Sequence, residues 1–518
     1  MLRIRILLLI TLLFAPCLNA VADDAPPPEV VAALKSAGIP LSAVAIQVQP
    51  VQNGAAHLPR LAVNAARAMN PASTMKLVTS FAALELLGPT FTWKTQAFIT
   101  GTLNGDTLEG DLILKGGGDP KLTIENFWLL ARGLRARGLR HIRGNLILDR
   151  SYFETGEHDP SRFDAEPLRP YNVGPDALLV NFKSVIFTFV PNIERGTAQV
   201  ITEPRLPQLE LVQSVRLSDG PCNDWRARLK ADFQNTAGSA RAVFSGFYPA
   251  SCGEKTWPVA LLSHPNYIEG VFRQVWEDMG GTLGGTARDG ATPAGARLVH
   301  LQESPSLAEV VRDINKYSNN VMARQMFLTL SAEVLKQPGS NERSAQVVKS
   351  WLAQRGLDLP ELVLENGSGL SRIERISAGG MARVLDAAFA SAVMPELMAS
   401  LPVVAQDGTM RRRLKTDGIA GQAHIKTGSL SDVRTIAGYV LDRAGQRNIV
   451  VFIINHPNAV AGQAAQDALL RWVYAADGSN GGSNAGNAVD SNGGSGKGNV
   501  ASARAAQPVK AGTSASRR

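Results

Sequence analysis

Ser73 and Lys76 stand three residues apart in Ser73-Thr74-Met75-Lys76, a spacing that puts both side chains on one side of a helical turn. A serine hydroxyl is a weak nucleophile until a base takes its proton. A lysine amine can be that base when burial and cationic neighbours lower its pKa. Two further motifs follow in order, Ser318-Asn319-Asn320 and Lys426-Thr427-Gly428-Ser429. Ser318 suits a proton relay between Lys76 and a leaving amine. Asn320 offers an amide that orients the backbone of an acyl substrate. Lys426 is the cationic neighbour that Lys76 needs, and with Thr427 it suits a free carboxylate. Gly428 lets an extended substrate lie close to an edge strand. The backbone N–H groups of Ser73 and Ser429 suit an oxyanion hole. The set reads as catalytic Ser73, Lys76 and Ser318, with Asn320, Lys426, Thr427, Gly428 and Ser429 binding substrate. Its chemistry is serine acyl transfer at a peptide or lactam carbonyl.

Each motif has a plainer reading when taken alone. An S-x-x-K arises by accident about once in 500 residues at ordinary composition. Ser318-Asn319-Asn320 could simply cap the helix that follows, and Lys426-Thr427 could guard an edge strand. The order of the three, on suitable local structure, is what argues for chemistry. The seven histidines offer no rival triad, no metal-ligand spacing appears, and no cofactor is implied.

The elements that must position these residues are legible in the apolar pattern. Pro71-Ala72 leads into a helix over 73–87 that is apolar nearly all round, hence buried and central, and Gly88-Pro89 closes it. A short helix over 27–38 and a strand over 41–48 precede it. Helices over 307–317 and 321–336 flank Ser318-Asn319-Asn320. A strand enters the third motif at 423–427, a hairpin follows over 433–441 and 448–454, and an amphipathic helix over 461–475 covers the sheet. These pieces predict an α/β sandwich. Between the first two motifs, from about 93 to 285, short β-like runs dominate, at 110–115, 144–149, 177–190, 209–217 and 240–247, with helical pieces at 124–138 and 271–280. Ser73 and Ser318 lie 245 residues apart, more than one domain needs between two serines of one site, so a domain insertion is expected.

Both ends of the 518-residue chain differ from its middle. Residues 1–22 carry Arg3 and Arg5, an apolar run too short to cross a bilayer, and Ala20-Val21-Ala22 as a cleavage site, the pattern of a secretory leader. Pro16 before Cys17 argues against a lipid anchor. Residues 477–518 are Gly, Ser, Asn and Ala with few large apolar side chains, and are expected to be disordered. The formal charge is +8, of which the leader holds +2 and this tail +3, leaving an ordinary +3 for the rest and no nucleic-acid footprint. Cys222 and Cys252 remain after the leader is removed. In an oxidising compartment they are expected to pair, with two reduced structural thiols as the alternative. The mature chain is expected to be periplasmic, with no integral membrane segment.

The chain resembles the penicillin-binding protein 4 type of D-alanyl-D-alanine carboxypeptidase/endopeptidase. The resemblance runs from about 27 to 475. It is carried by Pro71-Ala72-Ser73-Thr74-Met75-Lys76, Tyr317-Ser318-Asn319-Asn320, Gly367-Ser368-Gly369-Leu370-Ser371-Arg372, Asp407-Gly408-Thr409 and His424-Ile425-Lys426-Thr427-Gly428-Ser429-Leu430. Gly116-Gly117-Gly118-Asp119-Pro120 and Tyr171-Asn172-Val173 add to it within the insert. It implies a penicillin-binding transpeptidase-like fold, an antiparallel sheet with helices on both faces, split as 23–92 and 286–476 around two inserted mainly-β domains at 93–285. It implies cleavage of terminal D-alanine, or of cross-links ending in D-alanine, in peptidoglycan peptides, and covalent inhibition by β-lactams at Ser73. It also implies an acidic residue of the insert, Asp164 or Glu166, that reads the diaminopimelate side chain. Asn366 departs from the family's Asp before Gly-Ser-Gly, a change expected to affect a loop. A serine β-lactamase and a catalytically silent wall-binding protein are the alternatives. The first would need a separate deacylating base, which the sequence does not identify.

Overall fold

Five strands form the sheet that carries the third motif. Their order is Leu61–Val63, Val44–Pro50, Arg447–Asn455, Val433–Leu441 and Ala423–Leu430, and every neighbouring pair is antiparallel. The strand Arg447–Asn455 shows why both faces are covered. Ile449, Val451 and Ile453 enter one apolar cluster, and Val450, Phe452 and Ile454 enter another. Alternation sends successive side chains to opposite faces, and here both sets are apolar, so the strand must be buried twice over. Helices Pro28–Ser36 and Gln463–Tyr474 cover one face. Helices Met75–Leu87, Leu307–Tyr317, Asn320–Leu335, Asn341–Gln354 and Ala378–Phe389 cover the other. The computed structural model describes residues 25–51, 59–236 and 238–476. The expected leader at 1–22 and tail at 477–518 therefore lie outside the described residues.

The helix Met75–Leu87 buries every residue from Met75 to Leu84. A short 3₁₀ turn, Ala72–Thr74, precedes it, and Ser73 sits in that turn rather than in the α-helix proper. Gly88 ends the helix with φ of 84°, a conformation glycine adopts without a Cβ penalty.

The insert contains a six-stranded sheet, Leu229–Asn235, Ala240–Pro249, Leu209–Ser218, Thr197–Glu203, Val185–Asn192 and Lys255–Val259 in spatial order, with one parallel pair between Leu209–Ser218 and Ala240–Pro249. It also contains a five-stranded and a four-stranded sheet, together with helices Ile124–Ala136 and His264–Asp278. The second helix begins well before the expected 271, because Ser263 caps it by accepting from the Asn266 N–H at 3.4 Å and Pro265 occupies its first turn. Apolar residues of these sheets and helices join one continuous cluster. The disulfide Cys222–Cys252, with Cα atoms 4.8 Å apart, ties the turns that follow the two parallel strands.

The strand Arg297–Glu303 pairs antiparallel with Lys94–Ile99, so the last strand of the insert's sheet lies beyond the boundary expected at 285. The chain enters and leaves side by side: Trp93 N–H donates to Ser304 Oγ at 2.9 Å and Ser304 N–H donates to the Trp93 carbonyl at 3.0 Å. Trp93 Nε1 donates to Thr329 Oγ1 at 2.8 Å, fixing this neck to the helix that carries Asn320.

Candidate active site

The nucleophile turn is shaped by its neighbours. Ala72 has φ of 45°, a left-handed value uncommon for a residue with a Cβ. Asn70 Oδ1 holds it by accepting the Ala72 N–H at 2.9 Å. Two glycines press on the same turn. A Cβ on Gly369 would lie 1.9 Å from the Ala72 carbonyl oxygen, and one on Gly428 would lie 2.9 Å from the Ser73 nitrogen and 2.2 Å from Thr435 Oγ1. Gly428 thus faces the nucleophile turn. Its lack of a side chain lets the strand Ala423–Leu430 approach Ser73, a reason different from the substrate clearance expected from sequence.

Lys76 Nζ lies 3.0 Å from Ser73 Oγ, donates to Asn320 Oδ1 at 2.6 Å, and donates to the Ser368 carbonyl. The side chain is wholly buried. Burial, then the charge of Lys426, holds its pKa well below the ordinary lysine value, with Glu374 opposing and Arg324 adding to the decrease. The Asn320 amide oxygen is committed to Lys76, which leaves its NH₂ for a substrate carbonyl.

Ser318 ends the helix Leu307–Tyr317 in a left-handed conformation, φ 57°, and Asn319 then caps the next helix by accepting the Met322 N–H at 3.1 Å. The helix-cap reading is therefore true of Asn319, while the αL turn frees Ser318 to face the site. Lys426 Nζ donates to Ser318 Oγ and to the Thr427 carbonyl, each at 2.8 Å. Lys426 is wholly buried, and burial lowers its pKa to about 7. The enclosed Lys426 amine is thus tied to the second motif through Ser318. Thr427 is half-buried, and its Oγ1 donates to Thr409 Oγ1 at 2.7 Å. Ser429 is exposed at the strand's outer end.

A model of the D-Ala-D-Ala carboxypeptidase 3 (S13) family matches residues 29–476. The chain belongs to this family. It is 27% identical over 416 residues to a D-alanyl-D-alanine carboxypeptidase of Actinomadura sp. (strain R39), covering 77% of this chain and 76% of that one. It is 24% identical over 395 residues to the D-alanyl-D-alanine carboxypeptidase DacB of Haemophilus influenzae, covering 76% and 81%. The fold matches the crystal structure of penicillin binding protein 4 from Haemophilus influenzae with a TM-score of 0.71 at 22% identity, over 86% of this chain and 98% of that one. A second structure of that protein, complexed with a β-lactam, matches with a TM-score of 0.67.

Three further features of this S13 site escape motif reading. The loop at 365–371 reaches Lys76 through the Ser368 carbonyl. Beneath it lies Glu374, wholly buried, whose Oε1 accepts the successive N–H groups of Glu365, Asn366 and Gly367 at 3.1, 3.0 and 2.8 Å. Asn366 supports the same loop. Its Oδ1 accepts from Ser368 N–H and Oγ, and its NH₂ donates to the Leu370 carbonyl at 3.0 Å, a donation no carboxylate could make. Arg434 lies opposite Ser429 on the paired strand and donates to Ser429 Oγ. The Gly-Ser-Gly run was the only sequence signal for the first two, and nothing in the sequence singled out Arg434.

A cavity of about 210 Å³ borders the outer side of that loop, lined by Glu157, Asp159, Arg162, Arg324, Glu365 and Arg372 among others. Asp164 and Glu166 do not line it. Asp164 accepts from Tyr171 OH at 2.8 Å and from the Asn172 NH₂ at 2.7 Å, and Glu166 accepts from Arg169 Nε at 3.2 Å. Among the described residues, no group of three or more His, Cys, Asp or Glu side chains is placed to hold a metal ion, and no helix is long and apolar enough to cross a membrane.

Proposed function

We propose that this chain is an exported serine D-alanyl-D-alanine carboxypeptidase that removes the terminal D-alanine of peptidoglycan stem peptides through a Ser73 acyl-enzyme. The observation that carries the reading is Lys76 Nζ, buried and 3.0 Å from Ser73 Oγ, with Asn320 and Ser368 as its other partners. In the acylation step Ser73 Oγ bonds to the carbonyl carbon of the penultimate D-alanine and its proton passes to Lys76. The C–N bond to the terminal residue then breaks, and the leaving amine takes a proton from Ser318 Oγ, which Lys426 replenishes. Water afterwards adds across the ester, its OH to the acyl group and its hydrogen to Ser73, and Lys76 gives up the proton it took while Lys426 regains one, which returns both lysines to their starting states. Membership of the S13 family and the Actinomadura and Haemophilus carboxypeptidases support the substrate class.

The same acyl step opens a cross-link when the leaving amine belongs to a neighbouring stem, so endopeptidase action belongs to the proposal. The acidic and basic walls of the cavity beside the loop suit a zwitterionic side-chain terminus such as that of diaminopimelate, with Glu157 and Asp159 for its ammonium and Arg162 and Arg372 for its carboxylate. The leader pattern at 1–22 supports export to the periplasm, where β-lactams would act as covalent inhibitors.

Purified protein treated with fluorescent penicillin, then with D-Ala-D-Ala stem peptides and dimeric cross-linked muropeptides, tests the reading. A stable label with release of D-alanine supports the carboxypeptidase, and monomer formation from the dimer supports the endopeptidase. Rapid label loss with lactam turnover would make it a β-lactamase, and no label would leave a wall-binding protein.

A further inference from the structure

Asp407-Gly408-Thr409 lies between the second and third motifs and bonds to both. Thr409 Oγ1 accepts from Thr427 Oγ1 at 2.7 Å. Asp407 Oδ2 accepts from Lys316 Nζ at 2.6 Å, and Lys316 stands two residues before Ser318 in the last turn of the helix Leu307–Tyr317. The same Nζ donates to the Leu401 carbonyl at 2.6 Å. Lys316 is 4% exposed, so its ammonium has little water to turn to. Gly408 closes the contact. It has φ of 53°, and a Cβ there would lie 2.7 Å from the Lys316 carbonyl oxygen, so the loop meets the helix end backbone to backbone. The loop is also anchored to the third-motif strand. Ile425 N–H donates to the Pro402 carbonyl at 2.8 Å, and Val404 N–H donates to the Ala423 carbonyl at 2.9 Å. Asp407 Oδ1 accepts the Val403 N–H at 2.7 Å, which fixes the carboxylate to that paired segment.

We propose that Lys316 and Asp407 are the positioning pair for leaving-group protonation, bolting the Ser318 turn to the strand that carries Lys426. The inference rests on the carboxypeptidase reading above. Ser318 has a left-handed φ of 57° at a helix end, where few backbone bonds hold the chain. Its hydroxyl must stay 2.8 Å from Lys426 Nζ and still reach the leaving nitrogen. A misplacement of about 1 Å can cost about 100-fold in rate. A partly buried ion pair adds little net stability over an apolar pair of the same size, so its use here lies in where it holds the helix end. Neither residue enters the reaction, and both act through Ser318.

The test compares Lys316→Met, Asp407→Asn and the double variant with the parent protein on two substrates sharing one acyl group. One is a stem peptide ending in D-Ala-D-Ala, and the other is a thioester in which sulfur replaces the scissile nitrogen. An amine must be protonated to leave, whereas a thiol with a pKa of about 8.5 leaves as its anion. Lys316→Met keeps the side-chain length, and the Asp407 carboxylate, 42% exposed, can turn to water. In both single variants kcat/KM, which reports events up to acylation, should fall about 10- to 100-fold on the peptide and stay within about 3-fold of the parent on the thioester. The double variant should lose no more than either single one, because the same interaction is removed in all three. Lys316→Arg, which keeps donors for Leu401 and Asp407, should recover part of the peptide rate. Equal losses on the two substrates would overturn the assignment, by showing a pair that merely holds the fold. Parent-like rates on both substrates, or additive losses in the double variant, would overturn it too. Should Lys316→Met not fold, Asp407→Asn carries the comparison under the same criteria. A parent protein that turns over neither substrate would reject the carboxypeptidase reading, and this inference with it.

Discussion

Lys426 Nζ donates to Ser318 Oγ across 2.8 Å in a wholly buried environment. The third motif therefore sets its amine against the second, while Lys76 is held by Ser73, Asn320 and Ser368. The two lysines do not share a hydrogen-bond partner in these contacts. Their repulsion nevertheless helps keep Lys76 short of a proton, which is the state a general base requires.

Removing the Lys426 amine separates those roles. Lys426→Ala should slow acylation about 100-fold or more on free-carboxylate and amidated peptides alike, because Ser318 loses its proton donor in both reactions. Stopped-flow acylation measurements on the two substrates decide it. A loss confined to the free carboxylate would make Lys426 the carboxylate clamp.

The same lysine carries a stability signature. Its folded pKa of about 7 lies below its ordinary 10.5, so the unfolded chain binds the extra proton between those values and stability rises with pH across that window. Lys426→Met should therefore be more stable than the parent at pH 7 and below, with the advantage fading as pH climbs toward 10.5. Paired thermal melts along that pH series would show it. An advantage constant with pH would mean that burial of the charge is not its source.

Ser73→Ala should abolish covalent penicillin labelling and leave Tm within about 2 °C of the parent, since a half-buried hydroxyl is lost and no cavity of consequence forms. Retained label would remove Ser73 as the nucleophile. Gly369→Ala should abolish labelling for a different reason. Its φ of 78° and a Cβ 1.9 Å from the Ala72 carbonyl force the Ser73 turn to move, so stability should fall as well, by about 3 kcal/mol or more, read as a lowered Tm. Gly445→Ala, with φ of 81° and open space around it, isolates the backbone cost and should still take the label.

How much of this was legible in the sequence follows the reach of each interaction. Ser73 and Lys76 are a helical turn apart, so local spacing revealed them. The sheet strands announced themselves because both faces of Arg447–Asn455 are apolar. The helices Asn341–Gln354, Ala378–Phe389 and Met394–Ser400 went unread. Two of them open with Ser caps at Ser340 and Ser377, but their interiors mix polar, glycine and small residues that mask the period. Ser368 meets Lys76 across 292 residues, and Arg434 meets Ser429 only through strand register. Such contacts are set by the completed fold, and no spacing rule in one sequence encodes them. The boundary at 285 was misplaced for a similar reason, since Arg297–Glu303 belongs to the insert only by pairing with Lys94–Ile99.

Glu374 offers the sharpest pH test of the buried charge set. Its Oε1 is held by three backbone N–H groups, the kind of nest that favours an anion, and Oε2 has no hydrogen-bond partner. Burial lifts its pKa, while the three backbone N–H groups and the charge of Lys76 pull it down. Around Lys76 the charges are Lys426 and Arg324, which disfavour its ammonium, and Glu374, which favours it. Glu374→Gln keeps an oxygen for the three N–H groups and deletes the charge. The Lys76 pKa should then fall further, and the acid limb of the pH–acylation profile should move down by about one pH unit. Glu374→Asp should hold the limb while lowering the plateau, because the shorter side chain withdraws from the loop but stays anionic. A limb that stays put in Glu374→Gln, or moves up, would show that the carboxylate serves only to hold the 365–367 backbone.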